Sequence, residues 1–227
     1  MVGVDTNARA LELAQARAVA NGAKQVRVVQ SDLREFPVER SFDAVVGRFV
    51  LMYLADPAGV LRRLAGHLRA DGILAFQEFQ IEHTPMSSVR VFLWERWCAW
   101  LLPVYRQAQV EMNMGLRLRQ TFVDAGLPAP RVHMDVCLAC PGDDVEVRVA
   151  TNTLRSALPL IERFGIATAA DVDVDTFGQR YAAELASAGA VHTTVPNGAS
   201  LDANARRLGC PYPPISTTLV VPLVCPS

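Results

Sequence analysis

Lysine is almost missing from this sequence, since Lys24 is the only one among its 22 basic residues. The 23 acidic residues bring the net charge to −1, so no overall positive charge attracts nucleic acid or an anionic membrane. No apolar run comes near the roughly 20 residues that cross a bilayer, and no secretory signal pattern opens the chain. These absences predict a protein with neither a membrane nor nucleic acid as its partner.

Cysteine is also scarce, with five scattered residues. An odd number without regular spacing does not fit a disulfide framework and indicates a reducing, cytoplasmic location. Cys137 and Cys140 form the one close pair, and a structural zinc site needs a second such pair. We therefore expect no metal and interpret both cysteines as half-buried strand residues.

What the chain does contain is 51% apolar and 20% charged residues, enough for a packed core. Short apolar strands alternate with amphipathic helices over residues 1–79. Asp5, Thr6 and Asn7 offer side chains that can cap the first helix. Asp56-Pro57 is a typical helix start, and Asn21-Gly22 is a typical helix end. Strands are expected near residues 26–30, 42–47 and 73–79. This alternation predicts an α/β fold with an open, mostly parallel sheet and helices on both faces.

Three local patterns give finer expectations. The segment FDAVVG does not alternate apolar and polar residues, which predicts a strand buried on both faces. Helical spacing predicts that Val60, Leu61, Leu64 and Leu68 form the buried stripe of one helix. Asp71-Gly72 is expected to turn the chain into the next strand.

The character of the sequence changes after Phe79. A mostly helical segment is expected from about residue 89 to 125, with all three tryptophans in one helix. A strand and two further helices follow, and the sequence after residue 190 is rich in Pro, Thr and Ser. We expect three regions: residues 1–80, residues 81–190 with later elements of the same domain, and an irregular tail of residues 191–227.

Polar side chains fall at or just past the ends of the predicted strands, where open parallel sheets bind their ligands. Asp5 follows the first strand, and a carboxylate there can accept from both vicinal hydroxyls of a ribose. Asp32 follows the next strand, where its carboxylate can accept from an adenine amine while the Leu33 amide meets a ring nitrogen. Each acid also has a local alternative, as a helix cap or a turn residue.

The order of these elements, VGVDTNARALELAQARA, then VVQSDLREFP, then SFDAVVGRFVLMYLADPAGVLRRLAGHLRADGILAFQEF, resembles the class I S-adenosylmethionine-dependent methyltransferases. It is most similar to the small-molecule branch that includes the ubiquinone and menaquinone biosynthesis enzymes. The resemblance is good over residues 1–79 and loose beyond them. It implies S-adenosyl-L-methionine as cofactor, a small-molecule methyl acceptor, and a Rossmann-like sheet whose cofactor-binding half is residues 1–80, with an acceptor site in the helical segment that follows.

The resemblance also implies roles for individual residues. Asp5 would hold the ribose and Thr6 would lie beside the adenine. Asp32 would accept from the adenine amine, with Leu33 next to it. The end of the fourth family strand would border the methionine portion of the cofactor, and this end is formed by Gly47, Arg48 and Phe49.

The first strand of the family and its glycine-rich loop have no counterpart in this sequence. The sheet is therefore expected to be incomplete at the N-terminus, with strand edges left without partners. The loop binds the carboxypropyl end of the cofactor in the family, so we expect this chain to bind S-adenosylmethionine poorly and to be impaired as an enzyme.

The residues do not fix the catalytic base or exclude every other function. Glu78, Glu82 and His83 are candidate bases for a hydroxyl acceptor, and each also fits a surface or capping role. The aromatic residues Phe92, Trp94, Trp97 and Trp100 either cover an acceptor pocket or pack their helix on the domain. A nucleotide-dependent oxidoreductase and a degenerate, non-catalytic binding protein remain alternatives.

Overall fold

The computed structural model describes residues 1–37, 42–82, 86–136, 138–193 and 197–201. The N-terminal part alternates strands and helices in the predicted order. Its elements are β1 (Val2–Asp5), α1 (Ala8–Ala20), β2 (Arg27–Gln30), β3 (Phe42–Arg48), α2 (Pro57–Ala65) and β4 (Leu68–Phe79), with a short 3-10 turn at Leu51–Tyr53.

Side chains at the helix starts explain where α1 and α2 begin. The Asn7 side chain accepts a hydrogen bond from the Ala10 amide at 3.2 Å, and the Asp56 side chain accepts one from the Gly59 amide at 2.8 Å. Such caps satisfy amides that the first helical turn leaves without partners. The end of α1 is confirmed as well, because Gly22 adopts the left-handed conformation that stops a helix.

Parallel strand pairing confirms the predicted α/β class. Strand β1 pairs with β2 so that Asp5 lies opposite Gln30, and β3 pairs with β4 so that Arg48 lies opposite Gln77. The later strands are β5 (Arg131–Asp135), β6 (Leu138–Ala139), β7 (His192–Thr193) and β8 (Asn197–Leu201). Among the described residues, β1 and β2 form a sheet of their own, β3-β4-β8-β5 is a second sheet, and β6 pairs antiparallel with β7.

The expectation that FDAVVG is buried on both faces is wrong. Val46 is 72% exposed, and within the seven-residue strand only Gly47 is fully buried. Strand β3 stands at the end of its sheet order. An apolar strand without alternation can be buried on both faces only where other elements cover both, and no described element covers Val46.

Two further expectations are corrected at α2 and β4. Val60, Leu61 and Leu64 are buried as predicted, but Leu68 begins β4 because α2 already ends at Ala65. The turn at Asp71-Gly72 lies inside β4 rather than before it. The register moves from Phe42 opposite Leu68 to Ala44 opposite Ile73, so a bulge accommodates the extra residues of β4. Asp71 has a φ of 64°, as expected of a turn residue.

The helical segment is confirmed. Its helices are α3 (Phe92–Gln107) and α4 (Met114–Asp124). Three helices follow where two were predicted, because the short α6 (Ala169–Val172) lies between α5 (Asp144–Arg163) and α7 (Val174–Ala188). The three tryptophans are in α3 and are buried, whereas Phe92 is 55% exposed. They pack in one core with α5 and α7, in agreement with the packing alternative for this aromatic helix. Within the described ranges, no helix has the length and apolarity required to span a membrane.

The chain divides into two compact units. The first contains Met1–Gln77 and Leu118–Val132, and the second contains Glu78–Arg117 and His133–Ala199. The division into residues 1–80, 81–190 and 191–227 stays a prediction, and most of the tail lies outside the described residues. Cys137 lies outside them too, and Cys140, expected to be half-buried, is exposed because it follows the two-residue strand β6.

Candidate functional site

Asp5 lies at the carboxyl end of β1, where the chain turns into α1. Its Oδ1 accepts from the Asn7 amide at 2.7 Å, which closes a local turn, whereas the residue that caps α1 is Asn7. Its Oδ2 has no hydrogen-bond partner among the described residues. A half-buried carboxylate at the end of a parallel strand can therefore hold the turn with one oxygen and contact a ligand with the other.

The parallel register brings the second candidate acid to the same edge. The Ser31 amide donates to the Asp5 carbonyl at 3.0 Å, so Asp32 begins its turn directly beside the end of β1. The Gln30 side chain donates to the Thr6 carbonyl at 3.0 Å, which joins the two strand ends a second time. Asp5, Thr6, Asp32 and Leu33 thus lie along one edge of the β1–β2 pair.

The Asp32 carboxylate is bound to a neighbour that sequence reasoning missed. Arg34 donates to it from the backbone amide at 2.8 Å and from Nη2 at 2.6 Å, with Nε on both oxygens. The side-chain and backbone hydrogen bonds from Arg34 lower the pKa of Asp32 to about 2. Asp32 is therefore ionised at neutral pH, and a ligand amine would compete with a guanidinium whose side chain is 71% exposed.

Leu33 offers a complementary group on the same turn. The amides of Glu35 and Phe36 donate to the Asp32 carbonyl at 3.0 and 2.9 Å and close the turn around Leu33. The Leu33 amide itself has no acceptor in the described part of the chain. A free amide and a free carboxylate oxygen on one strand edge match a ring nitrogen and a ribose hydroxyl.

Gly47, Arg48 and Phe49 form a second set at the carboxyl end of β3. A Cβ on Gly47 would lie 2.1 Å from the Phe76 ring on β4, so packing alone requires glycine there. Phe49 continues the pairing, since its amide donates to the Gln77 carbonyl at 2.8 Å. The Arg48 guanidinium lies over the Phe49 ring, with its central carbon 4.6 Å from the ring centroid.

Of the candidate bases, neither Glu78 nor Glu82 stands out in the described part of the chain. Glu78 is completely buried. The Glu82 carboxylate accepts from Asn113 Nδ2 at 2.6 Å and lies 3.9 Å from Arg106 Nη2, so it is part of a polar network. His83 lies outside the described residues. No group of three potential metal ligands is found in the described ranges.

Sequence reasoning also missed a buried polar pair. The Tyr181 hydroxyl forms a short hydrogen bond with His192 Nε2, and His192 Nδ1 donates to the Thr193 carbonyl at 3.0 Å. Both side chains are buried. A histidine inside the apolar stretch AGAVHTT was the available signal, because a buried imidazole needs hydrogen-bond partners.

Comparisons with known proteins match the N-terminal part of the chain. Residues 1–76 match the family model described as a methyltransferase domain. Trans-aconitate 2-methyltransferase of Azoarcus sp. (strain BH72) is 35% identical over 77 residues, which are 34% of this chain and 28% of that protein. This match favours the methyltransferase interpretation over the oxidoreductase alternative.

Solved structures extend the likeness to the fold. The YcgJ protein of Bacillus subtilis has a TM-score of 0.51 and 15% identity, over 88% of this chain and 81% of that one. Phosphoethanolamine N-methyltransferase 2 of Haemonchus contortus has a TM-score of 0.49 and 15% identity, over 88% of this chain and 43% of that one. The chain thus spans less than half the length of this enzyme and of the Azoarcus relative. Over residues 1–76 the chain is thus similar to methyltransferase domains.

Proposed function

We propose that this chain is an S-adenosylmethionine-dependent methyltransferase that acts on a small-molecule acceptor. The observation that carries the proposal is that Asp5 Oδ2 and the Leu33 amide lie at one strand edge and have no hydrogen-bond partner among the described residues. Both groups lie within the residues that match the methyltransferase model. A carboxylate acceptor and an amide donor are what a ribose and an adenine ring require on one side of a sheet.

Each residue of this edge has a defined task in the proposed site. When bound, S-adenosylmethionine supplies an activated sulfonium methyl group, so little acid–base chemistry is asked of the protein. Asp5 holds the ribose hydroxyls, and Asp32 with Leu33 binds the adenine edge beside Thr6. Gly47, Arg48 and Phe49 border the methionine portion. Their main contribution is positioning, which aligns the acceptor with the methyl group and excludes water.

Substitution of Asp5 tests this assignment. Asp5→Asn keeps an oxygen for the local turn but removes the charge, and we expect S-adenosylhomocysteine to bind about tenfold more weakly, measured by isothermal titration calorimetry. Asp56→Asn is the control, because Asp56 also accepts a hydrogen bond from a backbone amide at a helix start. Equal affinities of the two variants would show that Asp5 has a local structural role only.

The acceptor is proposed from the curated relative. That protein is named for trans-aconitate, so trans-aconitate is the first compound to test in transfer of a labelled methyl group. Incorporation that depends on the acceptor and is lost in Asp5→Asn would support the enzyme. Absence of incorporation with trans-aconitate would direct the search to other small molecules.

A non-catalytic binding protein is the second candidate, and one observation favours it. The Glu82 carboxylate is held by Asn113 and Arg106, so it is not free to act as a base. Under this alternative, the chain binds S-adenosylhomocysteine but transfers no methyl group to any acceptor. A binding titration and a transfer assay on the same preparation separate the two candidates.

A further inference from the structure

Arg48 differs from the other arginines near the strand ends. Arg34 pairs with Asp32 at 2.6 Å and Arg69 pairs with Asp43 at 2.8 Å. Arg48 forms no ion pair or hydrogen bond with any described residue, and its Nε is buried without a partner. An arginine normally satisfies its donors with carboxylates, carbonyls or water, so a partly buried guanidinium without an acceptor requires an explanation.

The backbone beside Arg48 holds the guanidinium in place. Phe49 has a φ of 55°, the left-handed conformation that a bulky aromatic residue rarely adopts. The hydrogen bond from its amide to the Gln77 carbonyl secures this conformation. The resulting position of the ring supports the guanidinium through a cation–π contact. Strain of this kind is found preferentially at ligand sites.

Burial makes the isolated charge costly. Desolvation lowers the pKa of Arg48 from its ordinary value, and no neighbouring carboxylate offsets this effect. An anionic partner would restore the balance. The planar guanidinium presents paired N–H donors that match the two oxygens of a carboxylate, and Arg48 is at the carboxyl end of a parallel strand, where ligands of such sheets bind.

We propose that Arg48 binds a carboxylate group of a bound small molecule at the end of β3. This inference rests on the proposed methyltransferase function and defines the chemistry of its ligands. The carboxylate belongs either to the amino-acid end of the cofactor or to the methyl acceptor. In both cases the Phe49 ring fixes the guanidinium and the carboxylate replaces the missing acceptor of Nε.

Three ligands and two variants separate these sources. S-adenosylhomocysteine carries the amino-acid carboxylate, 5′-methylthioadenosine lacks it, and trans-aconitate carries carboxylates without the nucleoside. Arg48→Gln removes the charge, and Arg48→Lys keeps the charge without the paired donors. Arg69→Gln is the control, because Arg69 is on the neighbouring strand and its side chain is 57% exposed. Calorimetric titration measures binding, and circular dichroism establishes that each variant is folded.

We expect Arg48→Gln to weaken the binding of one carboxylate ligand at least tenfold and to leave the binding of 5′-methylthioadenosine unchanged. The control Arg69→Gln should bind all three ligands as the wild type does. A loss for S-adenosylhomocysteine assigns the site to the cofactor, and a loss for trans-aconitate assigns it to the acceptor. Arg48→Lys should show the same selectivity with a smaller loss, which keeps the test valid if the glutamine variant does not fold.

The inference is overturned if folded Arg48 variants bind both carboxylate ligands as the wild type does. It is also overturned if all three ligands are weakened equally, since the role of Arg48 would then be structural. Failure of the proposed function is a different result: the wild-type chain would then bind neither S-adenosylhomocysteine nor 5′-methylthioadenosine. If trans-aconitate still bound through Arg48 in that case, the carboxylate site would stand without the cofactor.

Discussion

The two compact units differ in how they are built. In the first unit, β1 and β2 contain no fully buried residue, and β3 exposes Val46. In the second unit, α3, α5 and α7 bury a continuous core that includes Leu154, Phe177 and Tyr181. The family match covers residues 1–76, so the strands that carry the functional signal are more exposed than the aromatic core of the second unit.

This difference shows that ligand binding and fold stability have separate physical origins in this chain. Ligand sites of parallel sheets depend on polar groups at strand ends, and these can be specified by a few residues and a short register. Stability depends on apolar area removed from water, and the aromatic helices supply it. Variants of the two units should therefore separate stability from ligand binding.

The largest expected effect is a core truncation in the second unit. Phe177 is fully buried between Trp100 and Tyr181, so Phe177→Ala should lower the free energy of unfolding by about 3–5 kcal/mol. Val46→Ala in the first unit should change it by less than about 0.5 kcal/mol, because Val46 is exposed. Circular dichroism in urea measures unfolding of both units, and tryptophan fluorescence reports the second unit alone, since all three tryptophans are in α3. Equal losses in the free energy of unfolding of the two variants would contradict this difference between the units.

The next effect concerns the separate strand pairs of the first unit. We expect that an apolar strand with a Gly-x-Gly loop, fused upstream of Met1, pairs with an edge of the described β1–β2 sheet and adds backbone donors for the carboxypropyl end of the cofactor. Two added charge-assisted hydrogen bonds of about 1.5 kcal/mol each would raise the affinity for S-adenosylhomocysteine about a hundredfold. Calorimetry on the two proteins measures the gain. Micromolar binding by the shorter protein would show that the loop is dispensable.

The sequence predicts local features of both units well. Helix α2 begins where Asp56-Pro57 indicates, and the parallel pairs follow from the alternation of elements. These features depend on residues close together in the chain. The predicted site residues Asp5 and Asp32 likewise lie at one edge, because Asp5 ends β1 and Asp32 comes two residues after the end of β2.

Features that depend on a distant or non-periodic partner were not predictable in this way. The exposure of Val46 depends on which elements cover β3, and apolar composition does not report that. The turn at Asp71-Gly72 is recognisable, but its place inside β4 depends on pairing with β3. The His192–Tyr181 hydrogen bond joins residues on α7 and β7 without any regular spacing.

A smaller effect in the second unit depends on pH. Burial and the nearby Asp143 raise the pKa of Glu146 to about 7. A carboxyl group whose folded pKa is raised stabilises the fold below its unfolded pKa near 4.5 and loses this contribution as the pH rises through about 7. Because Glu146 is partly exposed, we expect Glu146→Gln to increase stability by only about 1–2 kcal/mol at pH 8 relative to pH 4.5.

Urea unfolding at the two pH values measures this difference. The contribution of His192 to stability changes with pH in the opposite direction. Burial lowers the pKa of His192, so its contribution is present above its unfolded pKa near 6.5 and is lost as the pH falls. The Glu146→Gln variant should therefore still lose the stability that His192 contributes as the pH falls. An unchanged pH profile in Glu146→Gln would contradict the assignment of the raised pKa.

The smallest expected effect returns to the strand edge of the first unit. Arg34 occupies both oxygens of Asp32 through an exposed guanidinium. If Asp32 accepts from the adenine amine, Arg34→Ala frees that acceptor, and S-adenosylhomocysteine should bind a few-fold more tightly, because exposed ion pairs contribute at most about 1 kcal/mol. Arg69→Ala, which breaks another exposed pair, should leave the affinity unchanged. Weaker binding by Arg34→Ala would mean that the ligand uses the ion pair itself, with the guanidinium as part of the adenine site.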